Sequence, residues 1–229
     1  MTTYDLLYFP ISMALGDTAR LLLALGDAPY TFSAPPANDF GSIKGEQLFG
    51  KIPRLTVKTS DGKETHLWES RAIHEYLAVQ FGLLPTNDEF ARAHLNSFVF
   101  SIYEIFDSVF ALSSMQTPEA RKEYWTALRD TKIPASLAYH EKYLASKAAS
   151  GPYYAGDKIT LPDVVLFAQS YRFAEMFGEN AVISEAKTPH LYKLVNACNG
   201  GKLGETVRSW EVDFARKPRF DHEQFKWIF

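Results

Sequence analysis

The chain of 229 residues contains very little cysteine, since Cys198 is the single one. One cysteine cannot form an internal disulfide bond, which is typical of proteins from a reducing compartment. An excess of positive charge is also missing: 24 Lys and Arg stand against 27 Asp and Glu, for a net charge of −3. This balance argues against a nucleic-acid binder with a generally basic surface. The His residues are scattered without the spacing of metal ligands, so we expect no metal.

Long apolar runs are absent as well. No stretch approaches the ~20 residues that span a bilayer, and the first residues lack the basic segment and apolar core of a signal peptide. We therefore expect a cytoplasmic protein without a membrane partner. Aromatic residues, in contrast, are plentiful at 14%, which indicates a packed helical core or an apolar pocket.

The first third of the chain alternates short strand and helix patterns. A hairpin signal, Asp61-Gly62, joins two of the predicted strands. The predicted strands cover residues 4–9, 30–33, 55–58 and 64–68, and the predicted helices cover 17–26 and 70–81. The order βαβ and then ββα predicts a small mixed sheet with helices packed on it, in the thioredoxin-like arrangement.

Beyond Pro85 the apolar residues recur almost entirely at helical spacing. Thr117 followed by Pro118 predicts the start of a helix that continues to about residue 149. Thr160 and Asp163 have the spacing of a capping box at the start of another helix. The fold class is therefore α+β, with a thioredoxin-like domain over residues 1–83 and an all-α domain over residues 88–229.

The segment Trp68-Glu69-Ser70 carries the clearest chemical signal. A predicted strand ends there and an amphipathic helix begins, so unpaired N–H groups at the helix start favour a carboxylate. The carboxylate of Glu69 is suited to an ammonium group. The junction thus offers partners for both charges of an amino acid, although Ser70 alone is also explained as an ordinary helix cap.

Four segments together resemble the cytosolic glutathione S-transferases, in particular the sigma-like or related tyrosine-type classes. They are Tyr8-Phe9-Pro10 with the helix start at residues 16–24, the stretch 44–53 with its Ile52-Pro53, the pair Glu69-Ser70, and the segment 156–163. The resemblance implies an enzyme of detoxification that transfers the glutathione thiolate to hydrophobic electrophiles. It also implies a homodimer, with glutathione as co-substrate and no other cofactor. The alternatives are a glutathione-dependent isomerase or prostaglandin-type synthase, and a non-catalytic protein that binds glutathione or a lipophile.

The resemblance further implies a role for particular residues. Tyr8 matches the catalytic tyrosine that donates a hydrogen bond to the glutathione sulfur, with Ser12 as the alternative donor. The implied glutathione contacts are Tyr8, Lys44, Lys51, Ile52, a cis Pro53, Glu69 and Ser70.

The electrophile site is expected between the loop at residues 11–15 and the first long helix. Its candidate residues are Ile11, Met13, Tyr103 and Phe106. Ordinary helical packing is the alternative for Tyr103 and Phe106. The aromatic tail at residues 225–229 either covers this site or packs on the surface.

Overall fold

The computed structural model describes residues 1–9, 15–35 and 39–213. Within them, the strands form one four-stranded mixed sheet in the order β2-β1-β3-β4. The strands are β1 (Thr3–Leu7), β2 (Tyr30–Ser33), β3 (Arg54–Lys58) and β4 (Glu64–Trp68). Strand β1 runs parallel to β2 and antiparallel to β3, with Tyr4 opposite both Tyr30 and Val57. The predicted βαβ and ββα order is thereby confirmed.

Three helices accompany the sheet: α1 (Leu15–Leu25), α2 (Phe40–Lys44) and α3 (Ser70–Gln80). Helices α1 and α3 pack against each other, and the Leu21, Leu22 and Leu23 side chains of α1 are fully buried. The apolar faces of α1 and α3 thus form the core of this part of the chain.

From residue 89 onward the described elements are helical, as predicted. They are α4 (Glu89–Phe110), α5 (Pro118–Ala127), α6 (Ile133–Lys147), α7 (Leu161–Phe177), α8 (Pro189–Asn199) and α9 (Lys202–Asp213). A π turn, Leu128–Lys132, separates α5 from α6, so the single helix predicted over residues 117–149 is in fact divided. Among the described helices, none is long and apolar enough to cross a membrane.

Helix α7 lies at the centre of the molecule. It is buried on nearly all sides and packs against α4 and α8 as well as against α1 of the sheet layer, as expected for a helix without a continuous polar face. The predicted capping box is present: the Asp163 carboxylate accepts hydrogen bonds from the Thr160 backbone N–H at 2.7 Å and the Thr160 hydroxyl at 2.6 Å. Burial nevertheless raises the pKa of Asp163 to about 6. Because α7 packs against α1, the sheet layer and the helical layer are in direct contact. The division into domains 1–83 and 88–229 stays our interpretation of these two layers.

Candidate functional site

A cleft of about 520 Å³ opens between the sheet layer and helix α4. It brings together residues that are far apart in the sequence: the end of β1, the segment before β3, the junction of β4 and α3, and the last two turns of α4. The lining residues are Tyr8, Phe9, Leu15, Phe40, Phe49, Gly50, Lys51, Ile52, Pro53, Trp68, Glu69, Ser70, Phe106, Asp107 and Phe110.

Tyr8 follows directly after β1 and lines this cleft. Its backbone N–H donates to the carbonyl of Ser33 at 3.0 Å, which extends the pairing of β1 with β2 by one residue. Its side chain is 8% exposed, and its ring contacts Phe9 edge-on at a centroid distance of 5.7 Å. A Cβ on Gly16 of α1 would lie 2.2 Å from Cδ1 of this ring. The ring is therefore fixed between the strand and the start of α1.

The segment before β3 provides a wall of backbone at the cleft. The Ile52–Pro53 peptide bond is cis, as predicted, and Gly50 has a positive φ of 61°. Lys51 is exposed and lines the cleft. Lys44, which is outside the lining set, lies alongside Gly50: its Cε is 3.4 Å from the position of a Cβ on that glycine. Both lysines are thus close to the same end of the cleft.

The junction of β4 and α3 places an acidic group beside a helix N-terminus. Glu69 occupies the N-cap position, without a side-chain capping bond, and Ser70 is the first helical residue. The N-cap residue is therefore Glu69 and not Ser70, for which an ordinary cap was the alternative explanation. Glu69 has φ +67° and ψ +117°, a conformation that costs a non-glycine residue about 1–3 kcal/mol and is concentrated at binding and active sites.

The side chains of Glu69 and Ser70 are available to a ligand. Ser70 is buried at 6% exposure and lines the cleft, while the Glu69 carboxylate is exposed. Within the described residues, neither side chain has a hydrogen-bond or ion-pair partner. With the free N–H groups of the first turn of α3, they provide an anion site next to a cation site.

Aromatic rings line a further part of the cleft, its aromatic side. Phe9 contacts Phe40 at a centroid distance of 5.5 Å, and Phe106 contacts Phe110 at 5.2 Å. The Arg172 guanidinium lies 4.2 Å from the centroid of the Phe106 ring. This arrangement suits a flat, apolar ligand.

A carboxylate borders this aromatic side. Asp107 lines the cleft and forms an ion pair with Arg71 of α3. The ion pair joins α3 to α4 across the layer boundary and supplies a countercharge to this carboxylate.

The structure separates the two aromatic residues predicted on α4. Phe106 lines the cleft, whereas Tyr103 is outside the lining set, 1% exposed, and hydrogen-bonded to Nδ1 of His74. Burial raises the pKa of Tyr103 well above its usual range. Ile11, Ser12, Met13 and the tail at residues 225–229 lie outside the described residues.

Sequence reasoning missed several lining residues. Phe110 has a simple signal, because it is four residues after Phe106 and shares its helix face. Leu15 belongs to the loop and Trp68 to the segment that the sequence already singled out, whereas Asp107 has no such signal, since only the packing of α4 against the sheet layer brings it to the cleft. Within the described part of the chain, no group of three metal-ligating side chains is present.

Comparisons with known proteins identify relatives of this chain. A family model described as "Glutathione S-transferase, C-terminal domain" matches residues 103–200. A glutathione S-transferase of Dirofilaria immitis is 31% identical over 167 residues, which cover 73% of this chain and 75% of that protein.

Two solved structures are similar over most of their length. The Pi-class glutathione S-transferase of Onchocerca volvulus matches with a TM-score of 0.76 at 25% identity, covering 92% of this chain and 94% of that one. The prostaglandin synthase D of Nilaparvata lugens matches with a TM-score of 0.73 at 20% identity, covering 90% and 97%. The expected combination of a thioredoxin-like sheet layer with a helical domain is confirmed.

Proposed function

Since the chain belongs to the glutathione S-transferase family, we propose that the cleft between the sheet layer and α4 is its active site. The protein is a glutathione transferase, which joins the glutathione thiolate to a hydrophobic electrophile. One observation supports the location of the site above all. Tyr8, the cis Ile52–Pro53 bond and the Glu69–Ser70 helix start, which are separated in sequence, line the same cleft.

The charged ends of glutathione have matching groups in this cleft. Its γ-glutamyl carboxylate binds the N-terminus of α3 and the Ser70 hydroxyl, and its ammonium pairs with Glu69. The backbone of Ile52 contacts the cysteinyl part, with Pro53 turning the chain there. Lys44 and Lys51 are the candidates for the glycine carboxylate. The sulfur then lies on the Tyr8 side of the cleft.

Tyr8 donates a hydrogen bond from its hydroxyl to the sulfur. A free thiol has a pKa of about 8.5, so only a few per cent is thiolate at pH 7. A donor that hydrogen-bonds the anion stabilises it, and a decrease of about 2 pKa units corresponds to roughly 2.7 kcal/mol. Ser12, which lies outside the described residues, remains the alternative donor.

The electrophile binds on the aromatic side of the cleft. Phe106 supports this assignment because it is the predicted residue that lines the cleft from α4. Ile11 and Met13 complete the site in our proposal. Tyr103 is replaced in this role by Phe9, Phe40 and Phe110, whose rings line the cleft.

A glutathione-dependent isomerase, or a prostaglandin-type synthase, is the second candidate activity, and the fold likeness to the prostaglandin synthase of Nilaparvata lugens is compatible with it. The same thiolate serves either reaction. A non-catalytic role in glutathione or lipophile binding is less compatible with the Tyr8 hydroxyl group beside the cleft.

We also propose a cytoplasmic detoxification enzyme that functions as a homodimer, with the sheet layer of one subunit against the helical layer of the other. Exposed apolar side chains support this interface. Leu48 and Phe49 are 65% and 55% exposed in the first layer, and Phe90 and Phe100 of α4 are 82% and 49% exposed. A two-fold interface buries such surfaces from both subunits.

Binding measurements test the assignment of the Glu69–Ser70 junction. Loss of a hydrogen bond to a charged group costs about 1.5–3 kcal/mol, which is roughly ten- to hundredfold in affinity. Titration calorimetry should therefore show that Ser70→Ala and Glu69→Ala each weaken glutathione binding by about this factor. Glu64→Ala on β4, which removes an exposed carboxylate outside the cleft, is the matched control. Parent-like affinity in both junction variants would contradict the proposed site.

A further inference from the structure

His74 on α3 connects three elements in the centre of the protein. It is fully buried. Its Nε2 lies 2.9 Å from the carbonyl oxygen of Leu15, the first residue of α1. Its Nδ1 is hydrogen-bonded to the hydroxyl of Tyr103 on α4. A single imidazole ring thus bridges the start of α1 to the long helix of the second layer.

The chemistry of the partners fixes the direction of both hydrogen bonds. A backbone carbonyl only accepts, so Nε2 of His74 carries the proton and donates it to Leu15. In a neutral ring Nδ1 then accepts, and the Tyr103 hydroxyl donates to it. Burial lowers the pKa of His74 to about 4, so the ring is neutral at physiological pH.

The group held by His74 is next to the proposed catalytic tyrosine. Leu15 itself lines the cleft, and Gly16 follows it directly. The Gly16 backbone is in contact with the Tyr8 ring, since a Cβ there would lie 2.2 Å from Cδ1 and 2.6 Å from Cγ. The residue held by His74 and the residue that contacts the Tyr8 ring are therefore consecutive at the start of α1.

We propose that Tyr103 and His74 are positioning residues for Tyr8: the Tyr103 hydroxyl orients His74, His74 holds the Leu15 carbonyl, and the start of α1 holds the Tyr8 ring. This inference rests on the proposed function, because it assigns the two residues to the same thiolate chemistry. Neither residue touches the substrate. Through Tyr103 and His74, the contact between α4 and the sheet layer influences the position of the Tyr8 hydroxyl in the cleft.

The chain contains a matched control for this pair. The Tyr154 hydroxyl is hydrogen-bonded to Nδ1 of His140 at 2.7 Å, and Nε2 of that histidine lies 3.1 Å from the Ser101 hydroxyl. Tyr154 and His140 are 2% and 3% exposed, and neither lines the cleft. This second pair therefore has the same chemistry and burial without contact to the start of α1.

The experiment compares Tyr103→Phe with Tyr154→Phe. Both variants remove one buried hydroxyl and keep the ring. We measure the pKa of bound glutathione by ultraviolet titration of its thiolate, kcat and KM with an aryl halide electrophile, and unfolding in urea. Tyr103→Phe should raise the thiolate pKa by about 0.5–1 unit and lower kcat several-fold, because it removes one of the hydrogen bonds that position Tyr8. The KM for glutathione should stay unchanged. Tyr154→Phe should alter only the unfolding curve.

Substitutions of His74 test the second step. His74→Leu removes both hydrogen bonds and should raise the thiolate pKa at least as much as Tyr103→Phe. His74→Gln retains an amide N–H for the Leu15 carbonyl and should restore part of the difference.

Tyr8→Phe is included to separate this inference from the proposed function. A higher thiolate pKa in Tyr8→Phe, together with a parent-like pKa in Tyr103→Phe and His74→Leu, would overturn the positioning role alone. A parent-like pKa in Tyr8→Phe would overturn the catalytic assignment of Tyr8 and the positioning role with it. Equal increases of the thiolate pKa in Tyr103→Phe and Tyr154→Phe would also overturn the positioning role, because they would indicate a general loss of core stability.

Discussion

Replacing Gly16 by alanine should impair the chemistry of the cleft, although it favours the helix. Gly16 is the second residue of α1, where helix propensity alone predicts that alanine stabilises by up to about 1 kcal/mol. The added Cβ, however, would lie 2.2 Å from Cδ1 of Tyr8, whereas carbon atoms in contact are about 3.5–4.0 Å apart. The ring or the helix must therefore move by about 1.3 Å or more.

The displacement acts on the residue proposed to stabilise the thiolate. A misplacement of about 1 Å at a reacting centre can cost a factor of about 100 in rate, so we expect kcat to fall about ten- to hundredfold and the pKa of bound glutathione to rise. Stopped-flow turnover and ultraviolet titration measure the two quantities. Gly201→Ala is the control, because its nearest neighbouring atom is 3.6 Å from the new Cβ. If Gly16→Ala is as active as Gly201→Ala, the proposed contact between α1 and Tyr8 has no role in catalysis.

Three further predictions concern stability, substrate and assembly. Burial lowers the pKa of both His74 and His140 to about 4, so between pH 6.5 and 4 these two side chains bind more protons in the unfolded state and lower the free energy of unfolding as the pH falls. The carboxyl of Asp163, whose pKa burial raises to about 6, offsets part of this decrease below pH 6. Each histidine contributes about 1.4 kcal/mol per pH unit. Urea unfolding at several pH values should therefore show that the free energy of unfolding depends less steeply on pH in His140→Gln than in the parent protein. Phe106→Ala should raise the KM for an aryl electrophile several-fold but leave that for glutathione unchanged, whereas equal changes in both would place Phe106 outside the electrophile site. Sedimentation should give about 52 kDa, twice the chain mass of 25.9 kDa, and a fully active species of single-chain mass would refute the dimer.

The elements with strong local signals were predictable from the sequence. Asp61-Gly62 makes the expected turn between β3 and β4: Gly62 has φ +84°, and the Asp61 carboxylate accepts from the Lys63 N–H. The capping box of α7 formed for the same reason, because its partners are three residues apart. Such features depend on neighbours in the chain, which the sequence displays directly.

Elements that are short or interrupted were missed. Helix α2 has five residues, too few for a helical period, and its cap, Asp39, accepts from the Ser42 N–H. The π turn Leu128–Lys132 lies just before Pro134. Proline has no N–H to donate to a carbonyl of the preceding turn, so the chain takes a wider turn there.

The candidate site was likewise predictable from the sequence only in part. The resemblance indicated Tyr8, Ile52–Pro53 and Glu69–Ser70, and the structure brings these to one cleft. The sequence could not show that Phe106 lines the cleft and Tyr103 does not, because this depends on how α4 is rotated against α3. The bond between Tyr103 and His74 joins residues 29 positions apart, for which no local pattern exists.

The central claim is that the Tyr8 hydroxyl stabilises the glutathione thiolate, and Tyr8→Phe tests it most directly. Ultraviolet titration of the bound thiolate should show a pKa raised by about 2 units toward that of a free thiol, and calorimetry should show nearly unchanged affinity for glutathione, because the binding groups are elsewhere in the cleft. A parent-like thiolate pKa in Tyr8→Phe, with a large increase in Ser12→Ala, would contradict the claim and assign the donor role to Ser12.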